Sequence, residues 1–219
     1  MSDAPYLAVL WDMDGTIVDT EPYWMQCERE MAEKYGGTWT EEDSLNLVGN
    51  DLLDSGRYIR EHMGIDLEPD QIVEELLDGV VEMVQSDVPW RPGARELLAA
   101  LTGSGIRCGL VTMSYERFVA PILTQLPPET FRVVVTGDQV EFGKPHPEPY
   151  LTAAAALGVP AGECVAIEDS NTGAKSAEAA GCTVLVVENH VPVLDGPRRV
   201  FRNTLEGLTV EELRALSRP

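Results

Sequence analysis

Short apolar runs alternate with longer stretches of helical periodicity along most of this chain. Residues 6–11, 107–112, 132–136, 164–168 and 183–187 are short segments rich in Val, Ile and Leu. Runs of that length without an alternating polar face read as strands buried on both sides, as in a parallel sheet. Between them, residues 93–102, 115–125, 147–157 and 172–180 carry Ala, Leu and Glu at helical spacing, and Gly103, Gly158 and Gly181 stand where C-terminal caps belong. Strand and helix in repeated alternation predict an α/β, doubly wound (Rossmann-like) parallel sheet.

The rhythm breaks between residues 17 and 86. Segments 21–35, 41–48, 52–63 and 69–85 repeat apolar positions every three or four residues, as in Ile72, Leu76, Val80 and Val84, and none reads as a strand. Pro89, Pro92 and Gly93 then mark the return to alternation. The expected organisation is a catalytic α/β core of residues 1–16 and 87–219, with an all-helical cap of residues 17–86 inserted after the first strand. Open α/β sheets bind ligands beyond the carboxyl ends of their strands, so an insert at that point would lie over the site as a lid.

Composition narrows the function. A chain of 219 residues, 44% hydrophobic, has ample material for one domain and an insert. Its 16 basic and 37 acidic residues leave a net charge of −21. A surface that negative repels phosphate backbones and anionic lipid, which argues against nucleic-acid and membrane-surface partners. No apolar run approaches the roughly 18 residues of a spanning helix. The opening residues lack the basic start and long apolar stretch of a secretory signal, so a cytoplasmic protein is expected, with a monomer as the default. Cys27, Cys108, Cys164 and Cys182 are far apart, without the spacing of a zinc site, and read as reduced core residues.

The chemistry gathers at the strand ends. Asp12-Met13-Asp14-Gly15-Thr16 follows the first strand, and Gly15 permits a turn that brings two carboxylates to one spot. Among 37 acidic residues an Asp-x-Asp is unremarkable alone, and a calcium loop fails because Gly stands fourth and Ile17 and Val18 follow. Context lifts it: Thr112-Met113-Ser114 follows the second strand, Gly143-Lys144-Pro145 a turn beyond the third, and Glu168-Asp169-Ser170 ends the fourth. Ends of neighbouring parallel strands share one crevice. Four carboxylates, a hydroxyl and an ammonium meeting there call for a divalent cation, and oxygen-only ligation points to Mg2+. Lys144 is one of only three lysines and has no evident structural task. Glu168 and Asp169 also suit a helix N-terminus that Ser170 caps, and both readings hold together.

These four motifs, in this order and after strands, resemble the haloacid dehalogenase superfamily, and the helical insert resembles its C1 cap. Asp19-Thr20-Glu21-Pro22 and the stretch from Gly143 to Tyr150 are similar to the sugar-phosphate phosphatase and β-phosphoglucomutase branch. The resemblance implies Mg2+-dependent phosphoryl transfer through an aspartyl-phosphate. By motif match Asp12 would be the nucleophile and Asp14 the acid and base; Thr112 would bond the phosphoryl group and Lys144 would balance its charge. Asp12, the Asp14 carbonyl, Glu168 and Asp169 would hold the metal. Gly15, Met113 and Ser114 would meet the phosphate from the loops, and Trp24, Asn50 and Arg57 are candidates for the cap surface facing substrate. Trp24 has the equal alternative of packing between cap helices.

Within that family Asp14 argues against dehalogenation, whose enzymes lack an acid/base carboxylate there. A phosphonatase-type Schiff base would need a cap lysine, and only Lys34 is present, on a charged helical stretch where a solvated role is expected. A β-phosphoglucomutase-type mutase is the nearer alternative. Tyr115-Glu116 follows Ser114 where mutases place Lys-Asn, and Trp24 stands where they carry His, so water is the expected acceptor. Arg57, Arg60 and Arg117 are the residues that could supply the missing charge. A binding module that holds phosphate and Mg2+ without turnover is the second alternative. The implied partner is a small phosphorylated metabolite: a hexose, pentose or glycerol phosphate, or phosphoglycolate.

Overall fold

The computed structural model describes residues 7–216. Six strands form one parallel sheet in the order β3-β2-β1-β4-β5-β6. The strands are β1 (Ala8–Trp11), β2 (Arg107–Val111), β3 (Val133–Val135), β4 (Cys164–Glu168), β5 (Thr183–Val186) and β6 (Arg199–Phe201). β1 lies at the centre, with Trp11 opposite Leu110 on one side and Ile167 on the other. Its four residues are all buried. Val9 and Trp11 pack into the apolar cluster on one face, Ala8 and Leu10 into that on the other. That alternation on a strand with no exposed face is why the segment is uniformly apolar.

The helices are α1 (Glu21–Tyr35), α2 (Glu41–Leu45), α3 (Leu52–Ile59), α4 (Pro69–Ser86), α5 (Ala94–Gly103), α6 (Glu116–Leu123), α7 (Glu148–Leu157), α8 (Asn171–Ala180) and α9 (Val210–Leu216). The expected segments therefore form, and among the described residues no strand interrupts 21–86. Ends shift by a few residues: α2 stops at Leu45, and the 52–63 segment passes at Arg60 into a π-type turn, Arg60–Gly64. Gly158 and Gly181 do take the left-handed cap. Gly103 does not; it is the last helical residue, Ser104 caps, and the left-handed turn falls on Gly105. The small edge strand β6 was not expected. Arg199, Val200 and Phe201 are at most partly covered, and a three-residue strand with no buried face leaves no apolar run to read. Tyr6, placed in the first strand from sequence, lies outside the described residues.

The chain leaves and rejoins the sheet side by side. Asp19 donates its N–H to the Pro89 carbonyl (2.8 Å) and Arg91 to that of Ile17 (2.9 Å). Those paired linkers hold α1–α4 above the carboxyl ends of the strands. On the core side α6 meets this insert, where Trp24 of α1 stands edge-on to Phe118, with centroids 5.5 Å apart at 75°. At the rim, a Cβ on Gly49 would come within 3.0 Å of the Ser170 side chain, so the α2–α3 loop touches the end of β4. Among the described residues no helix is long and apolar enough to cross a membrane.

Phe118 is fully buried. Phe118→Ala should lower the free energy of unfolding by about 3–5 kcal/mol, read from the urea midpoint; a loss below about 1 kcal/mol would contradict this packing.

Candidate active site

The site grows from the turn that ends β1. Asp12 extends the ladder by one bond, donating its N–H to the Ile167 carbonyl (3.0 Å). The chain then folds around one acceptor: the N–H groups of Thr16, Ile17 and Val18 all point to the Met13 carbonyl, at 3.2, 2.8 and 3.2 Å. Met13 is buried in the core, while Asp12 and Asp14 on either side of it line a cavity beneath the insert. Gly15 makes the turn with φ +80°, and a Cβ there would sit 1.9 Å from Asp169 Oδ2. A side chain at this position would be strained in backbone and would displace the carboxylate.

Lys144 anchors the charge. Its buried ammonium donates to Asp12 Oδ1 (2.6 Å), Glu168 Oε1 (2.7 Å) and the Val111 carbonyl (2.9 Å). All three of its N–H groups are thereby engaged. Burial alone would depress this ammonium, but Asp12 and Glu168 outweigh it and raise Lys144 above its ordinary value. Glu168 is saturated: Oε1 also accepts from Tyr150 (2.6 Å), and Oε2 accepts from the Ser170 hydroxyl (3.1 Å). α8 starts against it, for a Cβ on Gly173 would overlap the Glu168 carboxylate. Ser170 caps α8 through the Gly173 N–H (3.0 Å), as the sequence suggested.

Asp14 is held by three hydroxyls. Thr20 donates to Oδ1 (2.5 Å), and Ser114 (2.7 Å) and Thr112 (3.4 Å) to Oδ2. Burial raises its pKa, against the pull of those three donors. Burial also lifts Asp12 to about 7, against the attraction of Lys144. Asp169 is raised well above the usual carboxylate range by burial and by its acidic neighbours Asp12 and Glu168.

The residues fit a hard divalent cation. Asp12, Glu168 and Asp169 each present an oxygen, all within 4.8 Å of one another. Asp12 Oδ2 and Asp169 Oδ2 are buried without a hydrogen-bond partner. A buried carboxylate oxygen left bare is costly, and two of the three acids in this cluster leave one so, which suits a cation of the Mg2+ type. Glu168, the third member of this cluster, also fixes Lys144.

The cavity, of about 70 Å³, is lined from the core by Asp12, Asp14, Thr112, Met113, Ser114, Lys144, Asp169 and Ser170. Of the cap candidates, Trp24 and Asn50 line it; Trp24 also packs edge-on against Phe118 of the core helix α6. Arg57 is not in the lining: its guanidinium is exposed and paired with Asp54. Gly15 contributes through Asp169, and its carbonyl accepts from Arg91 (2.6 Å). Met113 Sδ accepts from the Lys144 N–H (3.1 Å). Lys34 lies outside, paired with Glu75.

Sequence reasoning gave no role to Thr20, Tyr150, Glu21 or Glu28. Partly buried beside Asp14 and Glu28, Glu21 is pushed up to about 8, mainly by burial. Glu28 is 4% exposed although it opens a charged stretch. The available clue was spacing: 21, 24 and 28 fall on one helical face, the face Trp24 already marked.

The profile of the haloacid dehalogenase-like hydrolase family matches residues 9–187. The chain is 30% identical to hexitol phosphatase B of Escherichia coli O157:H7, over 94% of this chain and 96% of that one. It is 32% identical to a phosphorylated carbohydrates phosphatase of Thermotoga maritima, over 80% and 81%. Its fold superimposes with a TM-score of 0.82 on CbbY of Rhodobacter sphaeroides in complex with xylulose-(1,5)bisphosphate, 25% identical over 94% and 98% of the two chains. The matched range takes in the strand-end carboxylates, the lysine that joins two of them and the helical insert: this chain belongs to the haloacid dehalogenase-like hydrolase family.

Proposed function

We propose that this protein is a Mg2+-dependent phosphatase that hydrolyses a small phosphomonoester, a sugar phosphate or similar metabolite, through an aspartyl-phosphate on Asp12. The observation that carries it is the pairing of two unlike carboxylates: Asp12, with one oxygen on Lys144 and the other bare, beside Asp14, tied to three hydroxyls. Relatives named as phosphatases of hexitols and phosphorylated carbohydrates support the reading.

The chemistry then divides between the two. An Asp12 oxygen attacks phosphorus and forms a P–O bond, while the bond to the substrate's alcohol oxygen breaks. Asp14, held towards protonation by burial, gives that oxygen its proton. Asp14 next takes a proton from water as the water attacks the phosphorylated Asp12; orthophosphate leaves and Asp12 is restored. Lys144 lowers the repulsion between a carboxylate and an anionic ester, and the Thr112 and Ser114 hydroxyls, which line the cavity, would bond the phosphoryl oxygens. Asp12, Glu168 and Asp169, with the Asp14 carbonyl, would hold Mg2+, which would supply the remaining positive charge at the transferring group. Water is the acceptor that the cavity favours over a sugar hydroxyl. A mutase working through a bisphosphate needs a second cationic subsite. Arg57, Arg60 and Arg117 instead pair with Asp54, Glu68, and Glu74 and Asp78.

Phosphate release from a panel of sugar and small-acid monophosphates should require Mg2+, stop with chelator, and fall by roughly ten-thousandfold in Asp12→Asn. Isomerisation of β-glucose 1-phosphate without phosphate release would point to the mutase instead. A second outcome concerns stability. In the metal-free protein burial raises Asp12 to about 7 and Glu21 to about 8, whereas unfolded they titrate near 4. The folded state therefore binds more protons between these values, and its stability falls as pH rises through that window, by at most about 1.4 kcal/mol per pH unit for each group. The urea midpoint of chelated protein should drop between pH 5 and pH 8, less steeply in Asp12→Asn, and Mg2+ should restore it at pH 8. A midpoint that ignores both pH and Mg2+ would contradict the ligand set.

A further inference from the structure

The wall that faces the phosphoryl site is short of positive charge. Of the residues lining the cavity, Lys144 is the only cation, and its three N–H groups are committed to Asp12, Glu168 and Val111. The insert contributes instead two acids, Glu21 and Glu28, with Asn50, Ser55 and an apolar surface that includes Leu52 and Val73. Arg57, Arg60 and Arg117 pair with carboxylates outside the lining, and Arg91 donates to the backbone carbonyls of Gly15 and Glu188.

Glu28 is built into this wall. It is buried, and Trp39 Nε1 (3.0 Å) and the Ser44 hydroxyl (2.5 Å) both donate to the same oxygen, Oε2. None of the described residues donates to Oε1. A buried carboxylate whose second oxygen lacks a donor, in the lining of a ligand cavity, is an acceptor for the ligand's own O–H. Its rigid setting, fixed by an indole and a hydroxyl from two other segments, suits a positioned contact.

We infer that the cavity selects a monophosphate whose remainder is a neutral polyol, with Glu28 Oε1 accepting a hydroxyl of that remainder, and that it rejects esters carrying a second anionic group. This rests on the phosphatase reading and narrows it. A carboxylate or second phosphate on the substrate would be desolvated beside the Glu28 carboxylate, with no cation in the wall to receive it. A neutral polyol places its C–H faces on the apolar wall and its hydroxyls on Glu28, Asn50 and Ser55. Phosphoglycolate, admitted by the sequence, is thereby disfavoured.

The test compares D-glucitol 6-phosphate with 6-phospho-D-gluconate, which share a carbon skeleton and differ at the far end by CH2OH against carboxylate. With Mg2+, kcat/KM should favour the glucitol ester by about a hundredfold. In Glu28→Gln that ratio should fall by about tenfold, because the repelling charge is gone. The ratio does not depend on how much of the variant is folded. A ratio near unity in the wild type, or one unchanged in Glu28→Gln, overturns the inference. p-Nitrophenyl phosphate is the third arm. Its hydrolysis without preference for the glucitol ester overturns this inference alone; turnover of no ester removes the phosphatase reading and this one with it.

Discussion

One buried ammonium holds the site together. Asp12, Glu168 and Asp169 come from the ends of β1 and β4 and lie almost wholly out of water, with Lys144 the only cation among them. Three carboxylates packed this closely repel one another and lose their hydration, a cost one lysine offsets only in part. Lys144 answers Asp12 and Glu168 directly. Asp169 is left to the Thr16 hydroxyl, at 3.5 Å, and its other oxygen is bare. The balance is incomplete, and the cluster is one that could hold a cation, as the proposed function requires.

Much of the surrounding structure follows from bringing those groups together. The parallel register sets Trp11 beside Ile167, so Asp12 and Glu168 emerge at neighbouring strand ends. Gly15 and Gly173 are glycines because carboxylates occupy the space a Cβ would need. Tyr150 from α7 and Ser170 at the start of α8 fill the lone pairs of Glu168 that Lys144 leaves. The paired linkers at Asp19 and Arg91 then bring the insert over the result, and its inner wall adds acids rather than bases. In the proposed reading the core provides the chemistry, which is indifferent to what the phosphate is attached to, and the wall provides the choice.

The core was legible in the sequence because its strands are buried on both faces, and because Asp12, Thr112, Lys144 and Glu168 stand at ends that such strands must share. Strand β6 was hidden because an exposed three-residue edge has no burial to impress on its residues. Glu28 was hidden for a different reason. A carboxylate in a charged helical stretch looks solvated until Trp39 and Ser44, 11 and 16 residues further on, are seen to bond it. Tyr150 and Thr20 are likewise ordinary residues until the fold sets their hydroxyls against Glu168 and Asp14. Arg57 shows the converse: its charge suggested a role at the substrate, and a neighbouring Asp54 on the exposed side of α3 claims it.

The central claim is that Asp12 itself carries the phosphoryl group. The most direct measurement is to mix the protein with a Mg2+-supported phosphomonoester, quench in acid within the first turnover, and map the modified peptide by mass spectrometry. The account predicts an acid-stable, base-labile phosphoryl group on Asp12 and on no other carboxylate. Phosphoryl transfer to Asp14 or Asp169, or steady hydrolysis with no labelled carboxylate at any quench time, would contradict it.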